Sequence, residues 1–150
     1  VESVSSILPK SVSIMVILAK NEHYESVEET FHNTSNVSCL FGVDNMAEIL
    51  SDVDLVITGA GATVWECLAM GVPFITMTLA DNQMLNADYL SKNNFAISVG
   101  DYKSKGFTER VMQAAAEHIR YPEKARAAAL RGQSLIDGRG PSRIINLLSE

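Results

Sequence analysis

The chain has 150 residues, of which 47% are apolar and 20% charged, and carries a net charge of −6. That length and balance fit one ordinary folded domain and exclude wholesale disorder. No basic stripe is present to neutralise phosphates along a nucleic acid, and no apolar run approaches the length of a membrane span.

Taken in order, Ser13 to Leu18 is a short continuous apolar run and predicts a strand buried on both faces. Tyr24 to Phe31 reads as a helix that ends in the polar cluster His32-Asn33-Thr34-Ser35-Asn36. Val37 to Phe41 predicts a second strand, Asn45 to Leu50 a short helix, and Leu55 to Thr58 a third strand running into Gly59-Ala60-Gly61. A helix over Thr63 to Met70 is stopped by Gly71, with Pro73 just beyond. Phe74 to Thr78 is a fourth strand, Gln83 to Lys92 a helix and Phe95 to Val99 a fifth strand. Beyond the loop Gly100 to Gly106 the pattern is helical: Thr108 to Arg120, then Glu123 to Leu135 after Tyr121-Pro122, then Pro141 to Leu148. Short apolar strands alternating with helices predict an α/β fold, a doubly wound, Rossmann-like parallel sheet of about five strands with a helical C-terminal region. Residues 1–150 are read as a single domain.

Cys39 and Cys67 are too few for a disulfide framework and lie in apolar segments, which predicts buried free thiols in a cytoplasmic protein. The N-terminus shows no basic stretch followed by an apolar core. His23, His32 and His118 have no metal-ligand spacing, so no metal is expected.

In an open parallel sheet, ligands bind at the carboxyl ends of the strands. Two segments there carry unusual chemistry. Thr58-Gly59-Ala60-Gly61-Ala62-Thr63 lets a ligand approach the backbone, and the helix after it offers free N–H groups and a positive dipole end. A diphosphate suits such a turn, and tight strand-to-helix packing alone is the other reading. Asp81-Asn82-Gln83 crowds three polar side chains at the end of the fourth strand, where helix capping accounts for only one of them. Glu66 stands in the first turns of the helix after Gly61, within reach of a ribose whose phosphates rest on that helix, or simply in solvent. A dinucleotide fingerprint needs a third glycine where Val64 stands, so no nicotinamide or flavin cofactor is expected. Trp65 is read as packing against the sheet and not as a base-stacking residue.

The run from Asp54 to Phe74, with Thr58-Gly-Ala-Gly, Trp65-Glu66 and Gly71-Val-Pro73, then Ala80-Asp-Asn-Gln83, resembles the UDP-sugar hydrolases of pseudaminic acid biosynthesis and their spore-coat polysaccharide relatives. Those in turn resemble the C-terminal domain of the lipid II-forming UDP-N-acetylglucosamine transferase, a two-domain enzyme of the GT-B fold. The resemblance extends from about Val37 to Asn86, and more loosely to Asp137-Gly-Arg-Gly140. It implies that Gly59, Gly61, Ala62 and Thr63 hold the diphosphate and Glu66 the ribose hydroxyls. It further implies that the loop Gly42-Val43-Asp44-Asn45-Met46 recognises uracil, through Val43 and Met46, and that Asp81, Asn82 and Gln83 face the sugar. The function it implies is cleavage of a UDP-sugar by water to UDP and free sugar. The alternatives are transfer of the sugar to an acceptor, or a non-catalytic sugar-nucleotide-binding or assembly module.

Against that pattern, this domain lacks its first strand and glycine-rich loop, and Val1 to Leu8 reads as the tail of the helix that comes after them. The five remaining strands would then run second-first-third-fourth-fifth, or leave a gap. An N-terminal domain or partner chain is expected to supply the catalytic base, a role assigned to none of the three histidines.

Overall fold

The computed structural model describes residues 8–9, 11–18 and 24–149. The helix tail read over Val1 to Leu8 lies outside the described residues save for Leu8, and His23 lies outside them too. The chain divides into two compact units, the first ending at Met46 and the second beginning at Ala47.

In the first unit β1 (Ile14–Leu18), α1 (Tyr24–Phe31) and β2 (Val37–Phe41) succeed one another. The two strands pair in parallel, from Ile14 opposite Val37 to Leu18 opposite Phe41. Parallel neighbours need a crossover, and the segment containing α1 supplies it. The polar cluster after α1 sets the register. Asn36 Nδ2 donates to the Val12 carbonyl at 3.0 Å, and the Ile14 N–H donates to the Asn36 carbonyl at 2.8 Å. Among the described residues, Val16 and Phe31 are the buried side chains of this unit.

A short helix, α2 (Met46–Ser51), begins at the division. The second unit continues with β3 (Val56–Gly59), α3 (Thr63–Met70), β4 (Phe74–Thr78), a 3-10 turn (Asp81–Gln83), α4 (Met84–Lys92) and β5 (Ile97–Asp101). Three further helices close the chain: α5 (Phe107–Arg120), α6 (Pro122–Gln133) and α7 (Gly140–Leu148). The ladder runs β3-β4-β5, all parallel. The adjacencies β1–β2, β3–β4 and β4–β5 are all contained in the expected order. Val64, Cys67 and Leu68 of α3, Phe74 and Ile75 of β4, and Leu90 of α4 form the buried centre. Each such side chain contributes roughly 1.5–3 kcal/mol by leaving water. Gly132 of α6 lies so close to Leu68 that a Cβ there would stand 2.2 Å from Leu68 Cδ2, which is how α3 and α6 pack.

Two helix ends aim the chain into the sheet. α3 stops as its sequence predicts: Gly71 takes the left-handed backbone at φ 67°. Its N–H donates to the Leu68 carbonyl at 3.1 Å, and the Val72 N–H to the Cys67 carbonyl at 3.0 Å. That double closure turns the chain straight into β4.

The end of α4 is closed the same way by Asn94, at φ 53°. The Asn94 and Phe95 N–H groups donate to the Ser91 and Leu90 carbonyls, both at 3.0 Å. Phe95 is therefore spent on ending a helix, and the fifth strand starts at Ile97 instead of Phe95. It also ends later than expected. Gly100, at φ 82°, lies in a bulge where the register slips between Thr76 opposite Ser98 and Thr78 opposite Asp101, so pairing continues past the glycine.

Candidate functional site

The carboxyl end of β3 carries the glycine turn, and its geometry is fixed from three sides. The Ala60 N–H donates to the Met77 carbonyl of the neighbouring β4 at 2.8 Å. The Ala60 carbonyl accepts from Asn86 Nδ2 of α4 at 3.0 Å. Ala60 itself is fully buried. Gln83 lies across the turn: a Cβ on Gly59 would stand 3.4 Å from its Oε1, and a Cβ on Gly61 3.6 Å from its Nε2. Gln83 is in turn held by the Leu79 N–H, which donates to Oε1 at 3.0 Å. The structure thus brings Gly59, Gly61 and Gln83 together as one surface.

What that surface offers is a row of donors. Ala62 precedes α3 in a helical conformation with no side-chain cap. The N–H groups of Gly61, Ala62 and Thr63 have no hydrogen-bond partner among the described residues. The first amides of a helix have no intrahelical acceptor, so they point at solvent or at an anion, and the helix dipole adds to them. Four residues on from Ala62, Glu66 is exposed on the same side of α3, while Val64, Cys67 and Leu68 are buried on the other. The carboxylate is therefore free to reach a ligand seated on the helix end. Burial and the neighbouring Glu66 charge push the Cys67 thiol up to about 12, so it is an inert core group.

Asp81 and Asn82 sit exposed in the 3-10 turn beside Gln83. Neither caps it or α4, and their side chains have no hydrogen-bond partner among the described residues. The capping role that one of them would otherwise account for is absent. Trp65 is half-buried and lies against Tyr89 of α4, ring centroids 6.3 Å apart, with Tyr89 against Phe95 at 6.1 Å. Val43 and Met46 belong to the first unit, both half-buried, in the loop after Gly42 at φ 64°.

The sequence reading did not single out Asn86 or Leu79. An asparagine in the first turn of a helix reads as an ordinary surface residue until its amide is seen on the Ala60 carbonyl. His32 is exposed after α1. His118 is buried on α5, its imidazole beside the Asp54 backbone, before the amino end of β3. Near it a cavity of about 210 Å³ opens at the amino ends of β4 and β5, lined by Phe74, Ile97, His118, Lys124 and Arg131 among others. It includes no residue of the glycine turn. Among the described residues no group of three His, Cys, Asp or Glu is placed to hold a metal ion, and no helix is long and apolar enough to cross a membrane.

The model of the glycosyltransferase family 28 C-terminal domain matches residues 1–137. The UDP-N-acetylglucosamine–N-acetylmuramyl-(pentapeptide) pyrophosphoryl-undecaprenol N-acetylglucosamine transferase of Listeria welshimeri is 34% identical over 115 residues, which is 69% of this chain and 32% of that protein. The chain thus spans about a third of that relative's length. Among solved structures, Acinetobacter baumannii MurG superposes with a TM-score of 0.70 at 18% identity, covering 98% of this chain and 45% of that one. WaaG, a glycosyltransferase involved in lipopolysaccharide biosynthesis, superposes with a TM-score of 0.69 at 20% identity over 91% of this chain and 37% of its own. These two likenesses show the fold, that of a GT-B C-terminal domain. The comparisons do not support the expected hydrolase identity and fit the alternative, a glycosyltransferase, better, because the matching family and the named relative are those of glycosyltransferases.

Proposed function

Because the chain belongs to the glycosyltransferase family 28 C-terminal domains, we propose that it is the donor-binding part of a transferase that passes a sugar from a UDP-sugar to an acceptor hydroxyl. The observation that carries this reading is the row of unpartnered N–H groups at Gly61, Ala62 and Thr63, rigidly aimed by the held Ala60 peptide. When the bond between the sugar and the diphosphate breaks, negative charge grows on the leaving diphosphate. Fixed donors in place beforehand lower that barrier without reorganising. Glu66 is the residue proposed for the ribose hydroxyls, and Val43 and Met46 for the uracil. Asp81 and Asn82, with no protein partner among the described residues, and the free Nε2 of Gln83 are proposed to face the sugar. UDP is preferred over other nucleotides because the named transferase relative acts on a UDP-sugar. The catalytic base and acceptor site are assigned to a further domain or partner chain, supported by the third of the relative's length that this chain spans.

The test is a titration of isotope-labelled chain with UDP, monitored by amide resonances. Shifts at Gly61, Ala62 and Thr63, with others at Val43 and Met46, are expected. A well-folded chain whose amides do not respond to UDP at millimolar concentration refutes the reading. Product analysis of the whole protein, with and without an acceptor, then separates transfer from hydrolysis.

A further inference from the structure

A trans peptide sets its C=O and N–H on opposite sides of one plane, so fixing either fixes the other. The peptide joining Ala60 to Gly61 is fixed at its carbonyl, which accepts from Asn86 Nδ2 at 3.0 Å. The preceding peptide is fixed too, its N–H donated to Met77 at 2.8 Å. Ala60 is fully buried, and the bond from Asn86 is what sets the remaining rotation of the plane. The Gly61 N–H must therefore point away from Asn86, to the side where it has no partner among the described residues. Without the amide, the Ala60 carbonyl is a part-buried acceptor in want of a donor, and the plane is free to turn toward water.

We propose that Asn86 is a positioning residue of the phosphate site: it holds the Gly61 N–H on the ligand through the Ala60 carbonyl and does not touch the ligand itself. This rests on the donor-binding reading above. A merely structural asparagine would tie α4 to the turn with no effect on which ligand atoms are held. A positioning one acts on the diphosphate and leaves the nucleoside alone.

UDP and uridine are therefore the two probes, titrated into the chain and into Asn86→Ala and Asn86→Leu, the latter keeping the volume. The dissociation constant for UDP is expected to rise about tenfold or more, the loss of one charge-assisted hydrogen bond. That for uridine is expected to stay within about twofold. Equal weakening of both probes, or of neither, in folded variants overturns the proposal. If neither variant folds, the parent chain decides. On adding UDP, the Gly61 amide proton should move while the Asn86 side-chain amide keeps its resonance. A shift of the Asn86 amide onto the ligand overturns the proposal just as firmly. If the parent chain fails to bind UDP, the donor-binding reading fails; if it binds and the variants do not discriminate, only the role of Asn86 fails.

Discussion

Replacing Gly61 by alanine separates the site from the fold. Gly61 does not use the left-handed backbone, and a Cβ there would meet only Gln83 Nε2, at 3.6 Å, an ordinary contact. The free protein therefore has no reason to lose stability. Trimming the freedom of the unfolded chain should stabilise it by about 0.4–1 kcal/mol, which for a domain of this size raises Tm by roughly 1–4 °C. The same methyl would stand where a diphosphate must approach the Gly61 N–H. Losing one hydrogen bond to a charged group costs about 1.5–3 kcal/mol, or roughly a ten- to hundredfold rise in the dissociation constant for UDP.

Gly59→Ala is the useful contrast. Its Cβ would stand 2.6 Å from Leu79 Cδ1 and 3.1 Å from Cγ. Leu79 is 47% exposed and can swing outward, but the movement disturbs the Leu79–Gln83 hydrogen bond and blurs the result. Calorimetric titration with UDP and thermal melting of Gly61→Ala, measured on the same preparation, form the assay. An alanine that leaves UDP affinity within twofold refutes the phosphate role. A Tm lowered by several degrees shows instead that Gly61 is a packing glycine.

Glu66→Ala should weaken UDP by about tenfold, the value of a hydrogen bond to a charged group, while leaving 2′,3′-dideoxy-UDP unchanged; equal loss on both ligands would detach Glu66 from the ribose. Because the proposed donors are helix-end amides, raising ionic strength should weaken UDP binding only mildly; a steep fall with salt would reveal a cation at the site. Burial holds the His118 imidazole below its ordinary 6.5, with the Asp54 backbone opposing. The unfolded chain thus takes up a proton that the folded one refuses, so stability is whole above about 6.5 and is lost as pH falls below it. His118→Gln should flatten that slope in denaturant melts at a series of pH values, and an unchanged slope would exclude His118 as its source. Gly132→Ala drives a methyl to 2.2 Å from Leu68, which is fully buried and cannot yield. With a contact this short, overpacking of about 2–3 kcal/mol, the upper part of the usual range, exceeds the helix gain of about 1 kcal/mol by about 1–2 kcal/mol. A Tm lowered by roughly 2–8 °C is expected, and an unchanged or raised one would mean that α3 and α6 separate at little cost.

The parts legible in the sequence are those governed by a few adjacent residues. Gly71-Val72-Pro73 announces the end of α3 because the left-handed turn and the missing N–H are local facts. The apolar runs of β1, β2 and β4 are legible as strands, and all three have the structure's bounds to within a residue; burial on both faces, expected of β1, does not hold there, because Met15 and Ile17 alternate outward, 43% and 38% exposed, around the buried Val16. The fifth strand is harder to read. Asn94 is one of the few residues besides glycine to take a positive φ, and which asparagine does so is decided by how Leu90 and Phe95 pack. Gly100 reads as a stop, yet a bulge lets the ladder run past it. In the site, the glycine turn is visible in the sequence and its anchor is not. Asn86 is 26 positions from Ala60, and only the crossover from β4 into α4 brings the two together. On the proposed reading the choice between water and an acceptor hydroxyl is not written in this stretch, since donors that hold a leaving diphosphate serve both.

Charge explains why the site takes the form it does. The stretch that holds the glycine turn, Glu66 and the 3-10 turn has no basic residue, while Asp44, Glu48, Asp52, Asp54, Glu66, Asp81 and Asp88 all fall between Lys20 and Lys92. A diphosphate approaching that surface meets a repulsive background in a chain of net −6. Within this stretch attraction comes from dipoles: the amides of Gly61, Ala62 and Thr63 at the end of α3, and the Gln83 amide across the turn. A surface helix end contributes about 0.3–1 kcal/mol toward one charge, so the donors must be held in place to be worth their full value. That is why the Ala60 peptide is tied on both sides, by Met77 and by Asn86. On the proposed reading, then, this chain alone holds the nucleotide loosely.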